Sequence, residues 1–317
     1  MLLVWVGLIC LFSALSDRFF SAATFSNLAT QIPALTVVAA GMTFVIITSG
    51  IDLSVGSVLG MSGAVFGVAI TAGQWPLFVA ALAAIATGGL AGWANGWISV
   101  RLGVPSFIVT LGLLEVARGL SYLLTSSQTI YLAGALGELS RPLRGVGLPP
   151  SFFIAIAVVV VLQLILSRTV YGRHLIAVGT NEEAVRLAGI RPAGLRISVF
   201  VITGILVGLG ALFYTARLGS ADPNAGVGLE LSAIAAVVIG GTSLFGGRGS
   251  VISTFIGVLI IATLDSGLAQ VGASEPLKRV ITGGVIVSAA VLDGWRAGGA
   301  RGMMSLLHRL WRRPSSE

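Results

Sequence analysis

The chain has 317 residues, 56% of them hydrophobic and 10% charged, with a mean hydropathy of +0.99. This composition excludes a soluble globular domain, and its long apolar runs exclude an outer-membrane barrel, which needs short alternating strands. The net charge of +7 comes from 18 Arg and one Lys, mostly placed between apolar runs, so it is a signal of membrane orientation and not a nucleic-acid footprint.

Ten apolar runs predict an all-α, polytopic transmembrane bundle, with one transmembrane domain over residues 1–317. The runs are Leu2–Leu15, Leu28–Thr48, Leu53–Gly73, Leu77–Val100, Pro105–Thr125, Ser151–Ser167, Leu195–Arg217, Leu229–Gly241, Val251–Ala269 and Leu277–Leu292. The first begins without a basic flank, so it reads as a span and not a cleavable signal, and a cytoplasmic leader is expected to be missing from this start. The eighth is short and reads as a half-span or a tilted, broken helix.

At the junction of the second and third runs, Thr48-Ser-Gly-Ile-Asp-Leu-Ser-Val-Gly-Ser57 puts Asp52 between two apolar stretches. A carboxylate at membrane depth faces protein, water or a pathway. Ser49, Ser54 and Ser57 can bond to it, and Gly50 and Gly56 permit a helix break. Two compatible readings follow. Asp52 caps the third span, or it lines a gate together with Ser54 and Ser57. Gly88, Gly92 and Gly96 on the fourth run, and Gly204 and Gly208 on the seventh, predict close helix packing, with Asn95 placed for an interhelical hydrogen bond. On the fifth run Glu115 and Arg118 stand three apart and are expected to form a structural ion pair facing the bundle interior. The segment Ser126–Pro150, rich in Gly and Pro, reads as an external loop.

The most polar stretch is Arg168–Arg196, with Arg, Glu and His packed into one loop. Asn181 is a good N-cap, Glu182 and Glu183 suit the first turn, and Gly189 followed by Pro192 ends the helix. The expectation is a helix of about two turns, with Ala184, Leu187 and Ala188 forming its apolar face and Arg186 on its polar side. Further on, Val238-Ile-Gly-Gly-Thr-Ser-Leu-Phe-Gly-Gly-Arg-Gly-Ser250 is expected to make a tight re-entrant turn around Gly240 and Gly241. It lacks the Gly-Lys that a phosphate loop requires. The tail 294–317 is basic and reads as cytoplasmic, close to the headgroups.

With both termini inside, twelve basic residues fall in inside segments and six outside, leaving aside Arg118 within a span. Lys278 and Arg279 sit against that rule. They could snorkel, pair with Glu275, or face a partner. A single Cys10, and His174 and His308 far apart, exclude a disulfide and suggest no metal site. No Gly-x-Ser-x-Gly or His-Glu-x-x-His motif occurs, so a catalytic role is not expected.

Three motifs together resemble the ribose-type sugar permeases of bacterial ABC importers. They are Gly50-Ile-Asp-Leu-Ser-Val-Gly56, Gly179-Thr-Asn-Glu-Glu-Ala-Val-Arg-Leu-Ala-Gly-Ile190 and Ala233-Ile-Ala-Ala-Val-Val-Ile-Gly-Gly-Thr-Ser-Leu-Phe-Gly-Gly247. The resemblance covers nearly the whole chain, apart from the family's usual polar leader. It implies a multi-pass subunit of the bacterial inner membrane that translocates a monosaccharide and pairs with a second permease copy. A cytoplasmic ABC ATPase would hold the ATP and Mg, none being bound by this chain, and a periplasmic sugar-binding protein would deliver the substrate. Asn181–Ala188 would be the helix that couples to the ATPase. Asp52 and the turn at Gly240–Gly249 would lie near the cytoplasmic gate. The alternative is a self-contained secondary transporter or facilitator using Asp52, Glu115, Arg118 or Asp265. An intramembrane enzyme is disfavoured by the missing catalytic groups.

Overall fold

A computed structural model describes residues 1–132, 134–285, 287, 288 and 291. Its helices are α1 (Leu2–Leu15), α2 (Ala22–Ile47), α3 (Val55–Thr71), α4 (Leu77–Arg101), α5 (Ser106–Thr125), α6 (Gly137–Ser140), α7 (Pro150–Arg168), α8 (Val170–Thr180), α9 (Glu182–Leu187), α10 (Pro192–Leu218), α11 (Leu229–Ile239) and α12 (Val251–Gln270). Residues 275–285 are also helical. A two-residue antiparallel pairing joins β1 (Ile130–Tyr131) to β2 (Ser220–Ala221). Nine of the ten apolar runs therefore coincide with helices, and the tenth begins in one. Six helices, α2, α4, α5, α7, α10 and α12, are long and apolar enough to cross a membrane. The end of the tenth run and the tail 294–317 lie outside the described residues.

The bundle is built around α2. This helix is apolar on all sides, and such a helix must be covered on all sides. Val37, Val38, Met42, Phe44 and Val45 are wholly buried in it. Ser21 caps its start by accepting from the Thr24 amide, so it begins before the apolar run does. On its flanks lie α10, α12, α7 and α11, and α10 packs in turn on α4.

The α4–α10 contact is a close approach of two backbones. A Cβ added at Gly88 would strike the Gly204 carbonyl, and one at Gly92 would strike the Phe200 carbonyl. The expected small-residue packing is present, and its physical gain is dispersion between backbones that larger side chains would hold apart.

Two segments break the helical pattern inside the bundle. Residues 48–54 separate α2 from α3. Residues 219–228 run down beside α3, with Ala221 against Gly67, Ala225 against Gly60 and Gly226 against Gly56. Only then does α11 start. Its 11 residues span about 16 Å at 1.5 Å per residue, roughly half of a hydrocarbon core of about 30 Å. The half-span reading of this region holds. At the same end as β1 and β2, the Ser126–Pro150 segment carries α6 and the short pairing in addition to its turns. Of the three readings for Lys278, pairing is observed: its Nζ lies 2.6 Å from the Glu275 carboxylate.

Candidate functional site

The polar loop folds as two helices in series, α8 and α9. Thr169 caps α8 by accepting from the Gly172 amide at 3.2 Å, and Leu175 and Val178 give it a buried face. α8 is not among the expected helices, although Thr169 and the spacing of Leu175 and Val178 signal it. Tyr171 bonds to Ser198 of α10 at 2.7 Å, and burial pushes its hydroxyl above the ordinary tyrosine value while the Ser198 bond acts the other way.

Asn181 then caps α9, its side-chain oxygen accepting from the Ala184 amide at 3.0 Å. Glu182 and Glu183 occupy the first turn, where the helix dipole favours them. The C-terminus is closed by two bonds, Ile190 N–H to the Val185 carbonyl and Gly189 N–H to the Arg186 carbonyl. Gly189 is left-handed, φ +80°, as this motif requires. The apolar face differs from expectation. Val185 is the buried residue, and Leu187 is 80% exposed. The start at Glu182 is the expected one, so it is the packing beneath α9 that turns position 185 inward and leaves 187 out.

One ion pair ties α9 to α10 and a second lies along α9 itself. Arg196 at the start of α10 lies 3.0 Å from Glu182, and Arg186 lies 2.7 Å from Glu183. A cleft of about 1010 Å³ opens beside them, lined by Arg101, Glu182, Arg186, Arg191 and Arg196. The exposed surface of α9, Leu187 above all, thus projects from a braced support.

Behind α9 the chain is locked to the end of α2. The Gly247 amide donates to the Ile47 carbonyl at 2.9 Å, and Ser49 Oγ donates to the Phe245 carbonyl at 3.1 Å. A Cβ at Gly179 would strike the Ile47 carbonyl. Three chain segments therefore meet at one point: the end of α2, the end of α8 and the glycine-rich turn. Gly240 ends α11 against the Ser253 backbone of α12, and Gly241 follows at φ +89°.

Next to this point lies the Asp52 junction. Asp52 Oδ1 accepts from the Ser54 amide at 2.9 Å and from Ser54 Oγ at 2.6 Å. Asn95 Nδ2 donates to Ser54 Oγ at 2.9 Å, so its expected interhelical bond forms. The amides of Ile51 and Leu53 donate to Ser106 and Thr110 of α5. The amides of Ile51, Leu53 and Ser54 thus find partners in side chains, as non-helical backbone inside a bundle requires. Asp52, Ser54 and Ser57 are 2%, 1% and 1% exposed. Within one chain none of the three meets an open surface. Asp52 makes a local turn to the Ser54 amide two residues on and does not cap α3, whose N-cap is Ser54 with no side-chain capping bond.

The expected Glu115–Arg118 ion pair is not formed. Arg118 Nη1 instead donates to the carbonyls of Pro223 and Ala225, at 2.6 and 2.9 Å. The non-helical segment before α11 leaves these carbonyls without helical partners, and the guanidinium supplies them. Glu115 is exposed. The sequence signal for this was the shortness of the eighth run, whose backbone needed a donor from elsewhere.

Residues 24–290 match the family described as branched-chain amino acid transport system / permease component. The chain belongs to this family of transport permeases. It is 38% identical over 300 residues, 92% of each chain, to the ribose import permease protein of Escherichia coli (strain K12). It is 33% identical over 287 residues to the D-allose transport system permease protein of the same strain, covering 90% of this chain and 88% of that one. The autoinducer 2 import system permease protein of Photorhabdus luminescens is 33% identical over 293 residues, with 91% and 88% covered. The permease is thus a multi-pass membrane subunit of an ABC importer, a transport component and not an enzyme. Its braced α9 and the three-segment contact behind it are the candidate machinery.

Proposed function

We propose that the permease carries a monosaccharide across the bacterial inner membrane as one of two identical copies. A separate cytoplasmic ABC ATPase, which holds ATP and Mg, drives it, and a periplasmic sugar-binding protein feeds it. About ten spans with both termini in the cytoplasm put residues 168–196 on the ATPase side. The observation that carries the substrate class is likeness over nine-tenths of the chain to permeases named for ribose and D-allose import.

In this reading Asn181, Glu182, Glu183, Ala184, Arg186, Leu187 and Gly189 form the coupling helix. A rigid, capped helix transmits displacement where a loose loop would absorb it. Closure of the ATPase moves α9. Arg196 passes the motion to α10, and the Gly179–Ile47–Gly247 contact passes it to α2 and the glycine-rich turn. Asp52, Ser54, Ser57, Gly240 and Gly241 then serve as the gate's hinge, holding the broken backbone in register as the spans reorient.

The test is reconstitution with the ATPase and the binding protein in liposomes. Glu182→Ala with Glu183→Ala, in a permease that inserts normally, is expected to abolish sugar-stimulated ATP hydrolysis and uptake. Unchanged stimulation removes the coupling role from α9. Uptake that proceeds without ATP or partners removes the importer assignment altogether.

A further inference from the structure

Glu115 is the tenth of the twenty residues of α5, roughly 15 Å from either end at 1.5 Å per residue. It is exposed, it has no ion-pair partner among the described residues, and the nearest cation, Arg118, is committed to backbone carbonyls. A carboxyl group midway along a membrane helix is too costly to leave against lipid tails. Something outside the described residues must cover that face.

The other weakly buried spans behave differently. The windows of α4 and α7 are 33% and 28% buried, and their exposed residues include Phe78, Leu82, Leu90, Phe153, Val160 and Leu164, all suited to lipid. The α5 window is only 17% buried, yet it is the one carrying an acid. Beside Glu115 on the same helical face, at i−3, i+4 and i+7, lie Gly112, Gly119 and Tyr122. Nothing stands within 4 Å of a Cβ added at either glycine. Tyr122 bonds to Asn224 at 2.5 Å, which extends the polar surface toward the end that bears β1 and β2. The opposite side of α5 packs on α3 and α4.

We infer that this face of α5 lies against a second copy of the chain and lines the passage between them, with Glu115 accepting hydrogen bonds from the hydroxyls of the sugar in transit. The inference rests on the paired-permease reading and adds to it a named face and a substrate-contacting residue. Two copies of Glu115 across an aqueous passage keep their hydration, which lipid would deny them. A ring of acceptors suits a neutral polyol, which offers a donor on nearly every carbon.

The experiment uses full-length permease in native membranes with Cys10→Ser, then Gly112→Cys, Gly119→Cys or, as a control on α7, Leu164→Cys. A bis-maleimide long enough to cross the passage, which a direct disulfide could not bridge, is expected to join two copies through one or both glycine positions and not through Leu164→Cys. A chain that purifies as a dimer but links at neither glycine position, or links equally at Leu164→Cys, overturns the face. A chain that purifies as a monomer overturns the paired reading along with it. In liposomes with all partners, Glu115→Leu is expected to lower uptake roughly tenfold to hundredfold, the worth of a lost charge-assisted hydrogen bond, while the cysteine pair still links. Glu115→Gln, which keeps an acceptor, retains more. Full uptake by Glu115→Leu would put Glu115 outside the passage.

Discussion

Arg118 acts in this bundle as a two-carbonyl donor, and that role sets what its replacement will do. Arg118→Leu leaves the Ala225 carbonyl unsatisfied beside α3 and the Pro223 carbonyl with only the long Ser121 Oγ bond, 3.5 Å, at a cost of about 1–3 kcal/mol for a group stranded in the bundle. The expected result is a lower melting temperature in detergent, with Glu115→Gln unchanged in the same assay because no partner is lost. Equal destabilisation by both would restore the ion pair that the geometry excludes. Asp52 makes the converse case. Asn in its place still accepts from the Ser54 amide, so Asp52→Asn should change stability little, while Asp52→Ala strands that buried amide and should cost about 1–3 kcal/mol. Transport lost in Asp52→Asn at unchanged stability would show that the charge itself works at the gate.

Between elements, contact is decided by absent side chains. Gly92 lets the Phe200 carbonyl of α10 sit against α4, and Gly179 lets the end of α8 sit against the Ile47 carbonyl. Their substitutions should separate. Gly92→Leu forces α4 from α10 and is expected to cut the yield of folded permease, measured by gel filtration in detergent. Gly179→Ala puts a Cβ on the Ile47 carbonyl and against the Gly247 amide, so it parts the contact behind α9. In the fraction that inserts, it is expected to weaken the link between ATP hydrolysis and uptake in liposomes. If Gly179→Ala transports normally, the motion of α9 does not travel through that contact. The elements themselves were unevenly legible. The N-cap of α9, its acidic first turn and its glycine stop stand in the sequence as local chemistry. Its buried residue does not, since whether Val185 or Leu187 turns inward depends on what lies beneath a helix too short for its own periodicity to decide.

For the molecule as a whole, the decisive measurement is which side of the membrane holds α9. Leu187→Cys in a Cys10→Ser background presents a thiol at a position that is 80% exposed. A membrane-impermeant maleimide is expected to label it in inverted vesicles and not in intact cells, as the excess of arginine in the same segments requires. Labelling from outside would reverse the orientation and remove the ATPase from α9. The amino-acid sequence by itself determined the class, the apolar runs, the broken eighth run and the capped polar helix. Each of these follows from hydrophobic length or from hydrogen bonds between residues a few positions apart. Tertiary structure decided the rest. It chose α2 as the centre, gave Arg118 to carbonyls more than a hundred residues away in the chain, buried the Asp52 turn, and left Glu115 facing outward. These depend on which backbone groups a broken span leaves without partners, and on which side of a helix its neighbours cover, and neither is written in local spacing.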